Sequence, residues 1–366
     1  MSVPPSTVPD RFRRRLDQAA ARLGLSGEDP GLELAGRFGL RRYFERIETA
    51  DPDNQQSLWL ERARRLRKES RNVTTALTSA RIPHFFFKGI ALVGRFYRIE
   101  ERQLADIDVF VPPAQRNAAL AVLHALGYGD LRDSTDWRPD ASRPGLSMRR
   151  GSDGAAEDEA LLDVHWGLES VAALSPEATV TVPDTVWRGV TDQGGLPVPH
   201  DEHHLALVLH HLVRHDLLHV RGLLDLALLW DALPHAAGQE AVEVASALGV
   251  RRALAVVGRA LVDGVGAYPL RGVTLTSADW RRRLLTRRLG LEDWLVWAAR
   301  HAADGPAHVI ISVRRAWWRW LLSDEASAGR LVREVLVPEA DYLRWRWPDA
   351  GGTSAWFRHV RASLRD

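Results

Sequence analysis

The chain has 366 residues, 45% of them hydrophobic, which is enough for a full core in two domains or in one domain with a large helical extension. It has no cysteine, and that excludes disulfides, thiolate metal sites and a cysteine nucleophile. Basic and acidic residues nearly balance, 49 against 47, so no global polyanion-binding field is implied although the isoelectric point lies near 9.2.

The first fifteen residues are rich in Pro and Arg and lack the apolar stretch of a signal peptide, and no apolar run reaches eighteen residues, so no transmembrane segment and a cytoplasmic location are expected. Apolar positions at three- and four-residue spacing predict helices over 10–23, 31–47 and about 55–80. The pattern changes at Ile82-Pro83. The aromatic run His84-Phe85-Phe86-Phe87 suits a buried strand, Lys88-Gly89 a turn, and residues 90–97 a short helix. Asp106-Ile107-Asp108-Val109-Phe110-Val111 then alternates acidic and apolar residues and stops at Pro112-Pro113, as a half-buried strand does. Residues 114–126 return to helical spacing and end at Gly127, a suitable C-cap. Two further strands, 146–150 and 161–166, flank an acidic loop over 151–159. From His200 onward the periodicity is helical, with breaks at Pro234, Gly249 and Gly264. The expected organisation is a helical extension over 1–80, a catalytic core over 81–199 and a helical substrate-binding region over 200–366. The fold class is α+β, a small mixed sheet flanked by helices.

Period two places Asp106 and Asp108 on one strand face, and a strand carrying Asp163 beside it completes a set of three oxygen donors for a hard cation, Mg²⁺ or Mn²⁺. Such a site leaves coordination positions for triphosphate oxygens. Gly89, at the strand-to-helix turn, lets backbone N–H groups approach phosphates, and Lys88 and Arg102 add positive charge there. Lys88 stands out further because it and Lys68 are the only lysines in a chain that otherwise uses arginine. An isolated Asp-x-Asp is commonly a solvated strand edge. The order of aromatic strand, Lys-Gly turn, Asp-x-Asp strand, helix and Asp163 strand is what gives it meaning.

Phe87-Lys88-Gly89-Ile90-Ala91-Leu92, the stretch from Arg102 to Val111, and Leu162-Asp163-Val164-His165-Trp166 together resemble the uncharacterised nucleotidyltransferase family of the polymerase-β-like superfamily. The resemblance extends through a His-rich helix to Arg221-Gly222-Leu223-Leu224-Asp225, so it covers roughly residues 81–230. It implies a small mixed sheet, divalent-metal dependence and nucleotidyl transfer, with Asp106, Asp108 and Asp163 matching the metal ligands. The broader superfamily usually has Gly-Gly or Gly-Ser at the phosphate turn. This chain has Gly89-Ile90 and a longer interval to Asp106, so phosphate handling through Lys88 or Arg102 is expected.

His211 and His215 lie four apart on one helical face, as helical metal ligands do, but the segment lacks the Glu of a zinc-protease motif. His211, His215 or Asp216 is instead expected to meet the acceptor or act as general base. For Arg221 and Asp225, also four apart, an intrahelical ion pair is the default and substrate contact the alternative. In Arg314-Arg315-Ala316-Trp317-Trp318-Arg319-Trp320 and Arg344-Trp345-Arg346-Trp347, core packing is expected, with Trp317, Trp320 and Leu321 inward and the arginines wet.

The expected activity is transfer of a nucleoside monophosphate, AMP by the cellular abundance of ATP, to a hydroxyl of a small molecule or peptide. Nucleic acid is not expected as a partner. Two other readings stay open: a noncatalytic binding or regulatory protein, against which the intact acidic trio weighs, and a nucleic-acid binder using the Arg/Trp segments, which has no global positive excess behind it.

Overall fold

The computed structural model describes residues 7–38, 40–45, 54–131, 144–150, 160–174, 179–215, 219–273, 290–301 and 312–363. Four helices come first: α1 (Val8–Arg22), α2 (Pro30–Arg37), α3 (Arg41–Glu45) and α4 (Asn54–Ser79). Pro30 opens α2 and the Asp29 carboxylate accepts the Leu32 N–H, a side-chain N-cap. The single helix expected over 31–47 is divided after Phe38, where the Leu40 N–H turns back to the Ala35 carbonyl. In α4 the buried positions Ala63, Leu66, Ser70, Val73 and Leu77 recur at three- and four-residue steps, and this face packs on the sheet region.

The central sheet contains β1 (Phe85–Phe87), β2 (Ile107–Phe110), β3 (Gly129–Asp130), β4 (Gly145–Arg150) and β5 (Ala160–His165), in the order β1-β2-β5-β4-β3. β2 and β5 run parallel and the remaining pairs antiparallel, so the sheet is mixed. All three phenylalanines of β1 are buried, as in a strand covered on both faces. β5 alternates, with Ala160, Leu162 and Val164 fully inward and Leu161, Asp163 and His165 partly open. Between β1 and β2 the helix is shorter than expected, four residues in α5 (Gly89–Leu92), because Val93 leaves helical geometry and bridges to Tyr97. After β2 comes α6 (Arg116–Ala125), whose chain reverses at Gly127 with φ +87°.

Two small hairpins were not foreseen: β6 (Leu168–Glu169) with β7 (Thr179–Val180), and β8 (Val190–Asp192) with β9 (Pro197–Pro199), the latter pair preceded by α7 (Asp184–Arg188). The helices α8 (Asp201–Arg214), α9 (Val220–Ala232), α10 (Gly238–Ala247), α11 (Arg251–Val265), α12 (Leu291–His301) and α13 (Val313–Leu322) follow, and α14 (Ala328–Leu336), α15 (Ala340–Arg346) and α16 (Gly352–Ser363) complete the chain's described part. α8 packs on both β1 and α9, which sets it against the open end of the sheet. The N-terminal helices join this C-terminal layer: α1 packs on α9, α11 and α12, and Arg11 and Arg15 donate to the carbonyls of Val265 and Gly264 at the end of α11. One continuous apolar core runs from Val8 to Leu322, with a smaller cluster around Tyr342 under α14 and α15. The architecture is α+β, a small mixed sheet flanked by helices with helical termini. Among the described residues no helix is long and apolar enough to cross a membrane.

The Arg/Trp segment of α13 packs into the core with Leu321 inward as expected, but the rest of the inward face differs from the expected one. Arg315, Trp318 and Arg319 are buried and Trp317 is exposed. Arg319 Nη2 donates to the Arg214 carbonyl at 2.9 Å, so a cation meets the negative end of α8, and this outweighs hydration of the guanidinium.

Gly258 on α11 illustrates how tightly the helical layer closes, since a Cβ there would stand 2.2 Å from the Trp230 ring. Gly258→Ala should therefore destabilise the fold by about 1–3 kcal/mol, the usual cost of overpacking, read as a lowered thermal midpoint. An unchanged midpoint would show that the α9–α11 contact is looser than described.

Candidate active site

Register places the acidic residues. Phe87 on β1 stands opposite Asp108 on β2, Asp108 opposite Asp163 on β5, and Asp163 opposite Ser147 on β4. Neighbouring strands are about 4.8 Å apart, so a single row across the sheet aims these side chains to one face. Two residues further along β5, His165 shares that face. One ligand atom each from Asp108, Asp163 and His165 lie within 4.8 Å of one another.

Asp108 is almost wholly buried. Its Oδ1 accepts from Lys88 Nζ at 2.6 Å and lies 3.1 Å from His165 Nε2. Burial pushes its carboxyl up, but the Lys88 ammonium and His165 outweigh burial and hold it below the ordinary carboxylate value. Asp163 accepts from Ser147 Oγ at 2.6 Å. Asp106, just before β2, has no hydrogen-bond or ion-pair partner among the described residues. Burial, and then the neighbouring Asp108 carboxylate, push its carboxyl up to about 7. The gathered donors, carboxylate oxygens of Asp108 and Asp163 with the His165 imidazole, fit a divalent cation, and Asp106, expected from the sequence as a third carboxylate of the set, is not among them although it lines the same cavity.

Lys88 is held in an unusual backbone state, φ +58° and ψ −141°, a region non-glycine residues rarely enter. Its N–H donates to His204 Nε2 on α8 at 3.0 Å. That bond requires the unprotonated nitrogen, and burial followed by the nearby Arg95 charge lowers the His204 pKa to about 3. The ammonium also lies 4.7 Å from the centre of the Phe87 ring.

The row opens into a cavity of about 860 Å³. Lys88, Gly89, Arg102, Asp106, Asp108 and Asp163 line it, and so do His211, His215, Arg221 and Asp225 from the helical side. The cavity thus gathers these ten residues singled out from the sequence, but several have partners the sequence did not show. Arg221 and Asp225 do not form the default helical ion pair. Asp225, almost wholly buried on α9, accepts from Tyr97 Oη at 2.6 Å and from Arg102 Nη2 at 2.7 Å. Arg221 instead donates to the Gln103 carbonyl at 3.2 Å. Arg102 and Asp225 therefore tie the segment before Asp106 to α9, with the Arg102 guanidinium over the Tyr97 ring. Gly89 begins a helix of only four residues, so the macrodipole expected at the phosphate turn is that of a single turn.

His211, His215 and His219 form a cluster of rings, His215 stacked on His219 with centres 4.3 Å apart and His211 tilted against His215 at 4.4 Å. Burial first, then Lys88 and His219, hold the His211 pKa well below the usual imidazole value. Asp216, the other base considered, lies outside the described residues, as does the acidic loop over 151–159.

A family model described as uncharacterised nucleotidyltransferase matches residues 53–261, more than half of the chain. The chain belongs to the uncharacterised nucleotidyltransferase family. Comparison with curated proteins finds no match. The residues lining the cavity stand in an arrangement only partly foreseen. His165, Ser147 and His204 had not been assigned to the site. The signal for His165 was present, since it follows Asp163 at strand period; Ser147 and His204 depend on cross-strand register and helix docking, which carry no local pattern.

His210, also buried, has its pKa lowered to about 3 by burial and then by Arg319 and Arg214. In the unfolded chain both His204 and His210 titrate near 6.5, so between about pH 6.5 and 3 the unfolded state binds protons that the fold refuses. Stability should be flat with respect to these groups above pH 6.5 and fall on acidification, by about 1.4 kcal/mol per pH unit for each histidine. Thermal unfolding of wild type and His210→Gln between pH 7.5 and 5 checks this. The variant should lose stability less steeply, and identical slopes would mean His210 is protonated in the fold.

Proposed function

We propose that this nucleotidyltransferase moves a nucleoside monophosphate from a nucleoside triphosphate, with ATP as the expected donor, to a hydroxyl of a small molecule or peptide. Support comes chiefly from one observation: Asp108 and Asp163 are register partners on parallel strands, at the floor of a cavity whose volume of about 860 Å³ exceeds the needs of a triphosphate alone. Asp106, Asp108 and Asp163 would hold Mg²⁺ or Mn²⁺, with His165 beside them. When bound, the metal supplies charge neutralisation on the phosphates and a lowered pKa for the attacking hydroxyl.

The remaining steps belong to the chain's own residues. The acceptor oxygen bonds to the α-phosphorus, the α–β anhydride bond breaks, and pyrophosphate leaves with its electron pair. Lys88, at the mouth of the phosphate turn, and Arg221, on the opposite wall, are the cations that meet the triphosphate oxygens. Arg102 acts through Asp225 rather than by free reach: the pair fixes the segment that delivers Asp106. The neutral His211 imidazole accepts a hydrogen bond from the acceptor hydroxyl and orients it, with His215 beside it in the acceptor wall, and the hydroxyl's proton passes to solvent as the bond to phosphorus forms.

Calorimetric titration of the four ribonucleoside triphosphates with Mg²⁺, on wild type and on Asp106→Ala/Asp108→Ala, tests the reading. One triphosphate should bind to wild type and at least about 100-fold more weakly to the double variant, since even outer partners of a metal site are worth 10–100-fold in affinity. Equal binding by both proteins would remove these aspartates from the site.

A further inference from the structure

Asp108 already carries a cation. Lys88 Nζ sits 2.6 Å from its Oδ1, the side chains being 17% and 4% exposed, and the same oxygen belongs to the Asp108–Asp163–His165 cluster that fits a metal. An ammonium is a compact point charge on a flexible stem, whereas a guanidinium is a planar fork, so lysine is the side chain that can stand in an ion's place and then leave it. Lys88 is one of only two lysines, with Lys68, in a chain whose other basic residues of this class are arginines. Its main chain is pinned, φ +58° with the N–H on His204, so the side chain can swing without moving the turn.

We propose that Lys88 is a resident cation on Asp108, displaced from it toward triphosphate oxygens when metal and nucleotide enter together, so that the two bind with positive coupling and the metal alone binds weakly. The proposal rests on the site reading above. Its physical basis is the cost of an unpaired buried charge: a divalent ion arriving alone must either share Asp108 with the ammonium or strand that ammonium in the cavity. The triphosphate removes the penalty by giving Lys88 new anionic oxygens. By linkage, the factor by which nucleotide tightens metal is the factor by which metal tightens nucleotide.

The test is Mn²⁺ titration of the full chain, read by loss of the free-ion electron paramagnetic resonance signal, with and without α,β-methylene-ATP, which cannot release pyrophosphate. Wild type, Lys88→Met, Lys88→Gly and Asp108→Ala are compared. Lys88→Gly suits the positive φ, so it retains the turn should the Met variant fold poorly. With no nucleotide present, both Lys88 variants should bind Mn²⁺ roughly tenfold more tightly than wild type, inside the range usual for coupled sites. The tightening that the analogue produces should shrink by a similar factor, and Asp108→Ala should lose Mn²⁺ binding in every condition. Mn²⁺ affinity unchanged or weaker in both Lys88 variants, with Asp108→Ala still defective, overturns the role of Lys88 alone. Retention of Mn²⁺ by Asp108→Ala overturns the placement of the metal on Asp108, and the proposal with it.

Discussion

The parallel pairing of β2 with β5 sets two carboxylates side by side in the interior of the protein, Asp108 directly opposite Asp163. Two like charges about 5 Å apart repel by about 3 kcal/mol even at an effective dielectric constant near 20. The register cannot slip by one residue to relieve this, because Ile107, Val109, Leu162 and Val164 would then exchange the core for the cavity. The hydrophobic pattern of the strands thus imposes an electrostatic problem at their open face. Much of the surrounding structure can be understood as its compensation: Lys88 and His165 on one aspartate, the Ser147 hydroxyl on the other.

Compensation is incomplete at Asp106, and the helical layer explains how that residue is nevertheless fixed in place. The chain between α5 and β2 has little regular structure of its own, yet Tyr97 and Arg102 within it both bond to Asp225, 128 and 123 residues away. Arg221, one turn earlier on α9, holds the Gln103 carbonyl. A buried ion pair of this kind contributes little net stability, since desolvation offsets its attraction, but losing one partner is expensive. Its effect is to make one arrangement of the segment much better than its neighbours, and so to deliver Asp106 to the same mouth as Asp108.

The alternation of β5, the helical period of α4 and the order of the motifs were legible because each rests on local pattern, whereas β2, expected to be half-buried, is buried at every position. The limits of legibility are equally physical. β6 to β9 have two or three residues each, too few to establish a period. The inward turn of Arg319 in α13 depends on the end of α8 being there to accept a donor, whereas helical spacing within the segment argued for wet arginines. For Arg221 and Asp225 the helical spacing suggested partnership with each other, but a segment far away in sequence offered each a better partner. His204 could be read only as one histidine among several, since its role is a single hydrogen bond to the backbone of Lys88.

The two walls of the cavity consequently differ in how they answer to charge. The sheet wall is densely ionic, with the Lys88 ammonium set on Asp108 among the carboxylates. Opposite it, His210 and His211 are kept neutral by burial and by the cations around them, so on that side these imidazoles offer lone pairs and ring faces rather than charge. A polyanion entering such a cavity gains only where cations accompany it or are released to it, at the sheet wall and at Arg221 facing it. A neutral hydroxyl-bearing group meets no such requirement and can be met by neutral imidazoles at little desolvation cost. The proposed division of the cavity between a phosphate side and an acceptor side therefore rests on where the protein has buried its histidines as much as on where it has placed its aspartates.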